Sequence, residues 1–132
     1  VKPFLFAGLA LGAIFLLLPF SPRRVTRVTN ESGAVRDIVE IHIAETQFLR
    51  DNGRIGMLEE LDLRRHFREG PYQFELNAEG THYVIRAWPK KFGRDGRRSF
   101  YSDETTEVRY EWGYGRVAGP QSPVLGESSP RK

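Results

Sequence analysis

From Phe4 to Phe20 the chain carries no charged side chain, and no other stretch narrows its choices as much. An apolar run of that length has to leave water. Wound as a helix it would span about 25 Å, close to a hydrocarbon core of about 30 Å. The sequence therefore predicts a transmembrane anchor over residues 1–20, with Lys2 before it and Arg23, Arg24 and Arg27 after it reaching toward the interface. A cleaved signal peptide begins in a similar way, but Pro19-Phe-Ser-Pro-Arg-Arg24 offers no small-x-small cleavage site, so an uncleaved anchor is expected. Inside the span, Gly8 and Gly12 stand in a GxxxG spacing and form a helix-packing face.

Beyond the run the composition changes. The whole chain of 132 residues is 39% hydrophobic and 28% charged, with 20 basic and 17 acidic residues and a net charge of +3. Mixed signs without a sustained basic tract do not call for nucleic acid as a partner. The chain has no cysteine, which removes disulfides, thiolate metal sites, iron–sulfur clusters, covalent haem attachment and cysteine nucleophiles together.

Residues 21–33 read as a juxtamembrane linker, with Asn30, Glu31 and Ser32 as helix N-cap candidates. Ala34, Ile38, Ile41, Ala44 and Phe48 then recur at helical spacing. They predict an amphipathic helix over Ala34 to Leu49, with Arg36, Asp37, Glu40, Glu45 and Gln47 largely outside the apolar stripe and a stop at Asp51-Asn-Gly53. A shorter helix is expected over Met57 to Phe67. From Tyr72 the period changes to two, giving strands at Tyr72 to Leu76, His82 to Trp88, Arg98 to Ser102 and Glu107 to Trp112. This makes an antiparallel meander covered by the long helix, with Trp88, Tyr72 and Phe74 expected in the core. The folded domain is placed at 34–117, and residues 118–132 read as an extended tail without regular secondary structure, lying on its own sheet or on another subunit.

Ala34-Val-Arg-Asp-Ile38, Ala44-Glu-Thr-Gln-Phe48 and Gly56-Met-Leu-Glu-Glu-Leu61 resemble the exit of the pilin helix into a Gly-x-Leu-x-x-Leu segment. Gly70-Pro-Tyr-Gln-Phe74, Tyr83-Val-Ile-Arg-Ala-Trp-Pro89 and Phe100-Tyr-Ser-Asp103 are similar to the strands of type IV pilins and of the pseudopilins of type II secretion. The likeness covers about residues 34 to 125. It implies an α+β class: one N-terminal transmembrane helix followed by a pilin-like domain in which an amphipathic helix packs on a four-stranded antiparallel meander. It also implies a single-pass protein of the bacterial inner (cytoplasmic) membrane with a periplasmic domain, although Arg23, Arg24 and Arg27 by themselves favour the opposite orientation. The anchor departs from the family, because Leu5 stands where pilins carry a glutamate, no acidic residue precedes Glu31 and no leader precedes the span. A fixed accessory subunit fits that departure better than a filament subunit.

His42, His66 and His82 share no metal-ligand spacing, and His42, one step off the apolar stripe, is expected to pack through hydrogen bonds. Asp95, Asp103 and Glu104 are expected to shape turns rather than hold calcium, and Ser99 and Ser102 lack a nucleophile motif. No catalytic residue, metal or cofactor is expected. Lys90, Lys91, Arg94, Arg97 and Arg98 form the densest basic cluster. With Trp112, Tyr114, Val124 and Leu125 they are the candidate contacts to a partner or to lipid. The expected role is a non-catalytic membrane accessory subunit of a larger bacterial complex, electron-transfer, respiratory or photosynthetic. Its partners would be other integral membrane subunits and the lipid bilayer, with no nucleic acid. The alternative is a pilin or pseudopilin subunit, which alone would make it a homo-oligomer.

Overall fold

The computed structural model of the protein describes residues 22–63 and 66–127, His66 by its backbone alone. Helix α1 (Pro22–Asn52) is followed by a single helical turn, α2 (His66–Glu69), and by strands β1 (Tyr72–Glu79), β2 (His82–Pro89), β3 (Arg98–Asp103) and β4 (Arg109–Trp112). The strands form one antiparallel sheet in the order β1-β2-β3-β4.

α1 begins at Pro22 rather than at Ala34. Proline suits the first helical turn because its missing N–H would be unbonded there anyway. Between Pro22 and Ala34 only Gly33 strongly disfavours a helix, and arginine is a good helix former. Asn30 and Glu31 do not cap a helix. They lie within α1, and their side chains bond to the segment before β3. The helix ends where the sequence predicts: Gly53 takes φ +71°, and its N–H donates to the Leu49 carbonyl at 2.8 Å.

Among the described residues no helix is long and apolar enough to cross a membrane. α1 has the length, but arginine, aspartate and glutamate recur along it. The expected anchor, residues 1–20 with Gly8 and Gly12, lies outside the described residues. The expected fold is corrected accordingly to one long helix on a four-stranded antiparallel sheet. The single-pass inner-membrane placement and the membrane-protein description rested on a transmembrane helix, and they are not carried forward.

The second helix expected over Met57 to Phe67 is reduced to α2. Upstream of it the Glu60 carboxylate takes the Met57 N–H at 2.8 Å and both Arg54 Nη groups at 2.8 and 3.0 Å. The Arg54 bonds hold the Glu60 carboxyl well down, at about 2. The loop folds back on itself and sends Ile55 and Leu61 into the core beside Phe67.

Strand alternation decides what the helix covers. Tyr72, Phe74, Tyr83, Ile85, Ala87 and Phe100 face α1 and close over Ala34, Ile38 and Ile41. Register places Trp88 opposite Gln73, in phase with exposed Gln73 rather than with buried Ala87, so Trp88 stands on the outer face and is 38% exposed. The expectation that it joins Tyr72 and Phe74 in the core is corrected by that phase. The β1–β2 turn is the pair Gly80-Thr81, since Glu79 pairs with His82 and Gly80 takes φ +62°.

After Trp112 the chain returns across the outer face. The Ser99 hydroxyl donates to the Arg116 carbonyl and accepts the Ala118 N–H, both at 2.9 Å. The Tyr110 N–H donates to the Pro123 carbonyl at 3.0 Å and the Leu125 N–H to the Val108 carbonyl at 2.8 Å. Residues 118–127 thus lie on their own sheet and cover the edge of β4, where unpaired backbone groups would otherwise invite another strand.

Gly96 sits against the buried Tyr72 ring, and a Cβ there would lie 2.9 Å from Cζ and 3.0 Å from Cε2. Tyr72 cannot swing away, because it is 2% exposed and its hydroxyl donates to the Arg98 carbonyl at 2.8 Å. Gly96→Ala should therefore cost about 1–3 kcal/mol and lower Tm by several degrees. Gly119→Ala, at a position with nothing within 4 Å, should stay within about 0.5 kcal/mol of wild type. Thermal unfolding of the two variants checks both; equal midpoints would show that the Tyr72–Gly96 contact is loose.

Candidate functional site

Three polar residues on the buried side of α1 fasten it to the rest of the domain. Glu31 comes first. Its carboxylate accepts the Arg97 N–H and the Arg98 Nε–H, each at 2.8 Å, with 5% of the Glu31 side chain exposed. The Arg98 guanidinium is enclosed by aromatic rings, with its carbon 4.9 Å from the Trp112 centroid, 5.5 Å from Phe100 and 5.6 Å from Tyr110.

His42 is the second. Its Nδ1 is 2.6 Å from the Tyr83 hydroxyl and its Nε2 is 2.8 Å from Ser102 Oγ, while Ser102 donates to the Glu107 carbonyl at 2.8 Å. Because the serine proton is committed to Glu107, Nε2 must carry the imidazole proton and Nδ1 must accept from Tyr83. The chain of donors is complete with a neutral ring. Burial pushes the His42 pKa down and the Tyr83 hydroxyl up, the latter to about 12. A histidine within bonding distance of a serine resembles a nucleophile and its base, but Ser102 is wholly buried and its hydroxyl points at a backbone carbonyl.

Glu45 is the third, and with Asp37 it corrects the expectation that both lie outside the buried stripe. It is 1% exposed; Oε2 accepts the Gly56 N–H at 2.9 Å, and Oε1 has no partner. Burial raises its pKa.

No group of three or more potential metal ligands occurs among the described residues. Asp95 accepts the Lys91 N–H and the Arg94 Nε–H, both at 3.0 Å. Asp103 accepts the Thr105 N–H at 3.0 Å and the Thr105 hydroxyl at 2.6 Å. Both carboxylates shape turns. Glu104 pairs with His82 at 2.6 Å on the surface.

The basic cluster is divided by the fold. Arg98 is internal, Arg94 pairs with Asp95, and the Lys90 ammonium donates to the Arg68 carbonyl at 2.7 Å. Lys91 and Arg97 remain exposed. Trp112 lies beside Arg98, Val124 and Leu125 are half-buried along β4, and Tyr114 projects with 85% of its surface exposed. The contact candidates expected from the sequence do not include Trp88, which is expected in the core, or Phe92 and Arg116. They meet Tyr114, Arg86 and Lys91 around a groove of about 650 Å3 on the outer face. Trp88 was findable, since the inward set Tyr83, Ile85 and Ala87 leaves it on the other side of the strand. A second groove, about 780 Å3, runs between α1 and β1 past Val39 and Ile43.

Burial gives Glu45 and His42 opposite effects on the pH profile of stability. Glu45, with a raised folded pKa, contributes stability below its unfolded value of 4.5 and loses it as pH climbs through the folded value. His42, with a lowered folded pKa, contributes above its unfolded value of 6.5 and loses it as pH falls through the folded value. Urea titrations from pH 4 to 8 should show Glu45→Gln removing the alkaline decline and leaving the variant at least as stable as wild type at pH 8. A decline that survives the substitution would exclude Glu45 as its source.

No protein-family model, curated protein or solved structure matches the chain.

Proposed function

We propose that the chain is a non-catalytic subunit of a larger protein assembly and joins it through the outward side of α1. The observation that carries this reading is a second apolar stripe on that helix. At 100° per residue Val25, Val28, Val39 and Ile43 fall within about 60° of one another, on a side of α1 turned away from the buried Ala34 and Ile41. All four are exposed, Ile43 by 66%. A helix with a second, exposed apolar stripe buries only the first in its own domain, and the second gains by meeting a partner. The pilin-like order of motifs agrees with this reading, since pilins and pseudopilins are themselves subunits. The buried polar groups hold α1 to the sheet and loops, which is a structural use of histidine, serine and glutamate.

The full chain should be captured by affinity from its native cells after mild cross-linking, beside an Ile43→Asp variant. Ile43 is largely exposed, so the substitution should change stability by about 0.5 kcal/mol or less. Recovery of a fixed set of unrelated subunits with wild type, lost with Ile43→Asp, is expected. A ladder of self-multimers would instead favour a pilin or pseudopilin filament, and recovery of the chain alone would contradict the subunit reading.

A further inference from the structure

The groove on the outer face of the sheet is built from residues that the α1 interface does not use. Trp88 rises from β2, and Tyr114 stands between Gly113 at φ +111° and Gly115 at φ +71°. Those two left-handed glycines turn the chain sharply on both sides of the tyrosine. Its ring meets Phe92 edge to face, with centroids 5.4 Å apart and planes at 86°. Tyr114 is therefore positioned while remaining 85% exposed, with Val117 beside it 65% exposed. The returning tail could have covered these rings; instead it crosses at Ser99 and runs along β4.

The charge around this apolar floor is mostly positive. Arg86, Lys90, Lys91 and Arg116 line the groove, against Glu75 as its one carboxylate. The Arg86 guanidinium lies 5.9 Å over the Tyr101 ring, and Arg116 approaches Glu111 at only 3.4 Å with its side chain 69% exposed. Lys90 is already engaged with a backbone carbonyl, so the cations that face a partner are Arg86 and Lys91, with Arg116 shared with Glu111. A volume of about 650 Å3 suits a few side chains of an extended segment. The T-shaped Phe92–Tyr114 pair offers a cleft between an edge and a face, unlike the open parallel platforms on which successive bases stack.

We infer that this groove docks an acidic segment of a partner protein, an extended peptide whose carboxylates flank an aromatic or aliphatic side chain. The apolar side chain enters between Trp88 and Tyr114, and the carboxylates meet Lys91, Arg86 and Arg116. The inference rests on the subunit reading and assigns it a second contact, on the side of the sheet away from α1.

The test uses the full chain, isotope-labelled and held in neutral detergent on account of its apolar N-terminal run. Three probes are titrated by NMR: the peptide Asp-Glu-Leu-Phe-Glu-Asp blocked at both ends, the same peptide with lysine at every acidic position, and decathymidylate. The acidic peptide should shift the Trp88 indole and the Tyr114 backbone signals. It should bind at least about tenfold more tightly than the basic one and weaken severalfold between 50 and 300 mM salt. Trp88→Ala, and separately Lys91→Glu with Arg116→Glu, should each reduce its affinity at least about fivefold while the dispersed amide spectrum shows that the chain stays folded. Equal binding of the two peptides, shifts confined to other surfaces, or tighter binding of decathymidylate would each overturn the assignment. The Trp88→Ala chain in the capture experiment separates the two readings. Retention of every subunit by Trp88→Ala while Ile43→Asp loses them would eliminate the groove and leave the subunit reading standing. Selective peptide binding by a chain that captures nothing would do the reverse.

Discussion

The Glu31 carboxylate takes one hydrogen bond from the Arg97 backbone and one from the Arg98 side chain, both at 2.8 Å, and much of the molecule is arranged by that pair. A charge enclosed to this degree is costly unless its partner is fixed, and removing one member of such a pair typically costs about 3–5 kcal/mol. Truncating one large buried aliphatic side chain costs a comparable amount, about 2–5 kcal/mol. The pair therefore sets where α1 sits on the sheet as strongly as any single core contact. It also holds Arg98 among three rings and fixes the start of β3. Just upstream, Arg27 and Asn30 donate to the carbonyls of Gly93 and Asp95, each at 3.0 Å, so the 90–98 loop is tied to α1. That loop presents Lys91 and Phe92 to the outer groove. The helix and the candidate docking surface are thereby linked through backbone, although they lie on opposite sides of the sheet.

Farther along α1 the attachments become more polar and less charged. The neutral His42 ring bridges Tyr83 and Ser102, and Glu45 reaches across to the Gly56 N–H. Each closes a gap that apolar packing would leave: His42 satisfies two hydroxyls on β2 and β3, and Glu45 anchors the loop leaving the helix. The unpartnered Oε1 of Glu45 marks the least complete of these contacts. Burial raises the pKa of this carboxyl, and the Gly56 N–H bond works in the opposite direction.

Much of this was legible in the sequence, and the rest was hidden for identifiable reasons. Periodicity marks Ala34, Ile38 and Ile41 as the covered side of a helix, and alternation marks the inward residues of β1 and β2. Glu31, Ala34, Ile38, Ile41 and Glu45 are one continuous stripe at steps of three and four. A reading that follows apolar residues alone stops at its ends and discards the two carboxylates that close it. The start of α1 was hidden because arginine-rich sequence resembles a linker, and Pro22 resembles a break rather than a first turn. Trp88 is an aromatic at the end of an alternating strand, where its bulk suggests the core and only its phase with Ala87 places it on the other face. The outer groove depends on the return path of the tail over Ser99, a contact between positions 17 and 19 residues apart that no local pattern announces.

Glu31 and Glu45 fasten α1 to the sheet and to the loop beyond it. Native-state hydrogen exchange of the Arg97 and Gly56 amides tests this most directly, because those N–H groups have the two carboxylates as acceptors. Both amides lie in irregular segments, where ordinary loop hydrogens exchange quickly. They should exchange as slowly as the core-strand amides of Ile85 and Phe100, through global unfolding. Exchange at the rate of the exposed turn around Gly80 would contradict it and show that the helix rests on the sheet through apolar contact alone.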